Sequence, residues 1–76
     1  MTKTFLIQQM KHHIKRSYVH YETGCNKFML AEFYQARVYF DLICKFYICK
    51  EMFIKFALEV LGENAHKWAD KIYNTY

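Results

Sequence analysis

Apolar residues recur along this chain at steps of three and four, with two glycines, Gly24 and Gly62, falling just past the ends of such runs. A glycine in that place is the usual helix stop, because it takes a left-handed backbone without penalty. The pattern therefore predicts three helical segments. The first runs from about Lys3 to Tyr21, with Thr2 or Thr4 as cap and Leu6, Ile7, Met10, Ile14, Tyr18 and Tyr21 on one face. The second starts near Asn26, a capping residue, and continues to Leu61. The third runs from about Glu63 to Tyr76, with Asn64 as cap and Ala65, Trp68, Ala69, Ile72 and Tyr76 on one face. No alternating, turn-bounded strand pattern, internal repeat or low-complexity tract interrupts this reading.

The stretch from Phe28 to Leu61 organises the rest. It holds no proline or glycine and is dense in Phe, Tyr, Ile, Leu, Met and Cys. Opposite charges four residues apart support a helix despite the β-prone side chains: Arg37–Asp41, Asp41–Lys45, Glu51–Lys55 and Lys55–Glu59. The two ladders are out of phase. The stripe through Arg37, Asp41 and Lys45 leads on to apolar Cys49, and the stripe restarting at Glu51 is offset by roughly 120° at 100° per residue. The exposed side therefore changes around Phe46 to Lys50, where the helix either breaks or passes from one covering neighbour to another. Unbroken, it would be about 50 Å long at ~1.5 Å per residue, with the outer segments folding back over its two halves. The fold class expected is all-α: a single domain over residues 1–76, a small bundle of three helices with a long central helix, bent or broken near 46–50.

Composition adds an argument for association. The 76 residues are 54% hydrophobic and include seven Phe, seven Tyr and one Trp. A chain this short buries only ~60% of its unfolded surface, too little interior for so many rings. Phe33, Tyr34, Ala36, Phe40, Ile43, Phe46, Tyr47, Met52, Phe53, Ile54, Phe56 and Leu58 cannot all be hidden by one covering helix. A second copy of the chain would hide the remainder, and two-fold homodimers are the commonest oligomers. Phe33, Tyr34, Phe40, Tyr47, Phe53 and Phe56 are the expected interface residues, since large aromatics are enriched there.

Charge and chemistry-bearing residues change this picture little. The net charge of +4 permits contact with nucleic acid or acidic protein without requiring it. Lys11, His12, Lys15 and Arg16 form a basic face on the first helix; phosphate contacts there, with Tyr18 stacking on a base, are the alternative function. Cys25, Cys44 and Cys49 make no disulfide framework and read as small buried hydrophobes in a reducing compartment. Cys25, at a helix start, is the most reactive of them if exposed. His12, His13, His20 and His66 lack the spacing for one metal, and His13 and His20 are expected as half-buried rings beside Ser17 and Tyr21. No catalytic residues, metal site or cofactor are assigned. No window of ~20 residues is free of charge, so no membrane span or signal peptide is expected, and the cytoplasm is the expected location. The function expected is a small intracellular, non-enzymatic interaction module that self-associates through its aromatic central helix and meets a further, unidentified protein. A pocket for an apolar ligand between the aromatic helices is a third reading.

Overall fold

In the computed structural model, which describes residues 2–43 and 50–75 (without the side chains of 50, 51 and 75), the described chain is all-helical. It forms α1 (Lys3–Glu22), α2 (Asn26–Ile43), α3 (Lys50–Leu61) and α4 (Asn64–Thr75). Thr2 caps α1, its hydroxyl accepting from the Phe5 N–H at 3.2 Å. At the other end Gly24 takes φ +79°, and the N–H groups of Gly24 and Cys25 reach back to the carbonyls of Tyr21 and His20. That closes α1 as a Schellman motif and turns the chain directly into α2. Gly62, at φ +63°, ends α3 with a single bond from its N–H to the Leu58 carbonyl at 2.9 Å, the simpler left-handed cap, and turns the chain into α4. Asn26 and Asn64 are the first residues of their helices rather than caps.

Of the two alternatives for the central segment, one continuous helix or a broken one, the structure has two helices. Phe53 lies against both Phe33 and Phe40, with ring centroids 5.7 and 5.3 Å away. A continuous helix would hold Phe33 and Phe53 about 30 Å apart. The longest dimension of the fold is 33 Å, which a 50 Å helix would exceed. The three expected helices are thus four, with α3 turned back so that its rings reach Phe33 and Phe40 of α2. The expected change-over at Phe46 to Cys49 lies outside the described residues, as do Cys44, Lys45 and Tyr47.

Folding back is favoured because each helix carries an apolar stripe. Met10 and Ile14 of α1, Met29, Phe33, Ala36 and Phe40 of α2, Phe53 and Ala57 of α3, and Ala65, Trp68, Ala69 and Ile72 of α4 meet in one core. Trp68 is its hub. Its ring lies 6.0 Å from Phe33 and 6.1 Å from Phe53, and its indole N–H reaches Ser17 of α1, so one side chain touches the other three helices. Edge-to-face pairs such as Phe33–Phe53 and Phe40–Phe53 add about 0.5–1.5 kcal/mol each beyond the burial of their area.

Where both partners of an expected ladder pair are described, the structure uses contacts between helices instead. Among the described residues neither Arg37–Asp41 nor Lys55–Glu59 forms an ion pair. Glu59 instead meets Lys11 at 2.9 Å, joining α3 to α1. Arg37 lays its guanidinium over the rings of Phe33 and Phe53, at 6.0 and 5.6 Å. The other two ladder pairs, Asp41–Lys45 and Glu51–Lys55, involve side chains outside the described residues.

Candidate protein interface

Large aromatics are the side chains a small core needs most, and the fold uses them there. Phe33, Phe40 and Phe53, expected at an interface, have at most 1% of their surface exposed. Phe56 is half-buried against Phe40, and Tyr47 lies outside the described residues. Of the five expected interface residues that are described, only Tyr34 is exposed, at 47%.

The basic face of α1 is partly neutralised by carboxylates of the same chain. Arg16 Nε donates to Glu32 Oε2 at 2.7 Å, and His13 Nδ1 meets Glu32 Oε1 at 2.6 Å. A carboxylate only accepts, so Nδ1 carries the hydrogen. Burial by itself pushes the Glu32 carboxyl up. The hydrogen bonds from His13 and Arg16, with their positive charge, outweigh it and hold the carboxyl below its ordinary value. His13 also stacks on Tyr39, with centroids 5.7 Å apart and planes at 12°. Of the four basic residues proposed to meet phosphates, Lys11 and Arg16 are therefore engaged with Glu59 and Glu32, while His12 and Lys15 stand exposed. His20 packs on Phe28, and beside that pair an open groove of about 430 Å³ is lined by Arg16, Glu32 and Gln35 among others. It does not have the closed apolar lining that a pocket for an apolar ligand needs.

Exposed apolar surface is concentrated on the back of α2. Met29, Phe33, Ala36 and Phe40 face the core; at 100° per residue the opposite face carries Phe28, Ala31, Gln35, Val38 and Leu42. All five are exposed, Phe28 by 58%, Val38 by 53% and Leu42 by 46%, and Tyr34 runs beside them. The row is about 21 Å long at 1.5 Å per residue. It carries no formal charge; Lys27 and Asp41 flank its two ends, both exposed and neither in an ion pair among the described residues. The outer face of α4, by contrast, presents Lys67, Asp70 and Lys71. Four apolar side chains and one amide in a line are the kind of contiguous patch that marks an interaction site.

The sequence held a signal for this face. Residues 28, 31, 35, 38 and 42 follow alternating steps of three and four, a second apolar stripe opposite the one through 29, 33, 36 and 40. A helix apolar on two opposite faces carries more apolar surface than one neighbour hides. Ranking candidates by aromatic size obscured this, because the core had first claim on the largest rings.

Cys25, expected as a small buried hydrophobe, is instead exposed with a free thiol, while Cys44 and Cys49 lie outside the described residues. Among the described residues no three His, Cys, Asp or Glu side chains are gathered so as to hold a metal ion, and no helix is long and apolar enough to cross a membrane. Comparison with known protein families, with curated proteins and with solved structures finds no match.

Proposed function

We propose that this chain is a small intracellular, non-enzymatic protein–protein interaction module that docks through the outer face of α2. The observation that supports this is the uncharged row Phe28–Ala31–Gln35–Val38–Leu42, exposed along its whole length on a chain whose other outer faces are charged. Water contact with these apolar groups costs roughly 25 cal/mol per Å², which a covering partner returns. The nucleic-acid reading draws on Lys11, His12, Lys15 and Arg16. It has less support, because two of these cations already have carboxylate partners.

A photo-crosslinking residue placed at position 38, expressed in the full chain in its host, tests the proposal against the same residue at position 67. Specific adducts at 38 and none at 67 are expected. Equal adducts at both, or none at 38, would remove α2 as the docking face.

A further inference from the structure

The geometry points to a second copy of this chain, packed antiparallel along α2, as the partner for this face. The inference rests on the reading of that face as a docking surface and adds the occupant, its direction and its register.

Alternating steps of three and four form the seam of a two-helix coiled coil, in which the seam residues interlock and the residues beside them set orientation through charge. Here the flanking row is Lys27, Tyr34 and Asp41, seven residues apart. Lys27 and Asp41 stand at equal distances on either side of Tyr34, about 10 Å each along the helix. A two-fold axis passing Tyr34 at right angles to α2 sets Lys27 beside the partner's Asp41, and Asp41 beside the partner's Lys27. In the same register position 28 falls opposite 40 and position 31 opposite 37, so Phe28 sits between the partner's Val38 and the partner's Leu42, and Ala31 between the partner's Gln35 and the partner's Val38, each contact made twice. Seam side chains of the two copies then interleave, and Lys27 and Asp41, neither in an ion pair among the described residues, each find an opposite charge.

A parallel pair would set Lys27 against the other flank, where Glu32 is already held by Arg16 and His13. It would give Asp41 no cation among the described residues. The antiparallel pair brings the two Glu32 side chains toward the axis on that flank, but each is paired with Arg16 and hydrogen-bonded to His13. Gln35 near the centre supplies a polar seam position, a known way of fixing register at a cost in strength. The contact is one helix wide and at the small end for a stable interface, so association depends on concentration.

The experiment is sedimentation equilibrium of the full chain over a concentration series, with Lys27→Glu and Asp41→Lys made separately and then mixed. Both positions are exposed and outside the core, so each variant keeps the native helical circular dichroism. The unaltered chain is expected to dimerise with rising concentration. Each variant alone sets like charges together twice and should self-associate at least about tenfold more weakly. An equimolar mixture restores opposite charges at both ends, and native mass spectrometry should show the mixed dimer in excess of either homodimer. A native chain that stays monomeric throughout, single variants that associate as the native does, or a mixture no tighter than its components would each overturn the inference. Crosslinks at position 38 to a different protein, with none to a second copy, would overturn it while leaving the docking face in place; no crosslinks at 38 would remove both.

Discussion

Trp68 donates its indole N–H to the Ser17 hydroxyl at 2.7 Å, and Ser17 donates its own hydrogen to the Met29 carbonyl at 2.8 Å. This two-bond relay ties α4, α1 and α2 together at a point where Ser17 is fully buried. An indole N–H inside a core needs an acceptor, and a backbone carbonyl in a helix has a second lone pair to offer. Ser17→Ala removes the middle member and leaves the Trp68 N–H buried without its partner. The expected loss is about 1–3 kcal/mol, or roughly 4–8 °C in melting temperature per kcal/mol for a domain of this size. Trp68→Phe in the Ser17→Ala background should add less than it does in the native chain, because the donor that needed Ser17 is gone. A double-mutant cycle in urea reads this coupling, and strictly additive losses would refute the relay.

The two glycines make a sharper case for backbone than for space. A Cβ built at Gly62 meets nothing within 4 Å, yet the residue sits at φ +63°. Gly62→Ala therefore costs only the left-handed conformation, roughly 1–2 kcal/mol. Gly62→Asn should recover part of that, since Asn tolerates this region better than Ala. Equal melting points for the Asn and Ala variants would show that something other than φ decides the position.

Much of this fold was legible because helix signals are local. The stops at Gly24 and Gly62, the Thr2 cap and the stripe through Ala65, Trp68, Ala69 and Ile72 depend on neighbours within a turn or two. The ladder offset placed a change at Phe46 to Lys50, and the structure divides this stretch into α2 and α3, with Phe46 to Cys49 outside the described residues. What the sequence withheld is long-range. Nothing near Ser17 says that an indole 51 residues on will need its oxygen. Nothing near Arg37 says that the rings of α3 will lie under it rather than Asp41 beside it. The candidate docking face was legible only in part, since Phe28–Leu42 and Met29–Phe40 are both apolar stripes and local spacing does not say which one faces inward.

Glu32 gives the fold a dependence on acid. Its carboxyl is held below the ordinary 4.5 when folded, by His13 and Arg16 against the opposing effect of burial. A carboxylate with a depressed folded pKa stabilises the fold above its unfolded pKa, and that contribution is lost as pH falls through the folded value. The native chain should therefore lose stability below about pH 4.5 more steeply than Glu32→Gln does, while near neutral pH the variant is the less stable of the two. Urea midpoints measured between pH 7 and pH 3 check this. Parallel curves for the two proteins would exclude Glu32 as the cause.

Arg37 leads to a prediction of opposite sign. Its guanidinium lies 5.6 Å from the centre of the Phe53 ring and 6.0 Å from that of Phe33, and its Nε is buried without a hydrogen-bond partner among the described residues. A cation over a ring contributes about 0.5–1 kcal/mol where water still reaches the head group. A buried N–H left unsatisfied costs about 1–3 kcal/mol. The stem of the side chain covers the same two rings and contributes by packing alone. Arg37→Met keeps a stem of similar length, removes the unsatisfied N–H and gives up the cation. The cost outweighs the gain, so the variant should be more stable than the native chain, by up to about 1 kcal/mol. Arg37→Ala removes the stem as well and should be destabilising. Chemical denaturation of the two variants beside the native chain separates the head group from the stem: a Met variant that unfolds at lower urea than the native protein would show that the charge over the rings, and not the stem beneath it, is what holds α3 against α2.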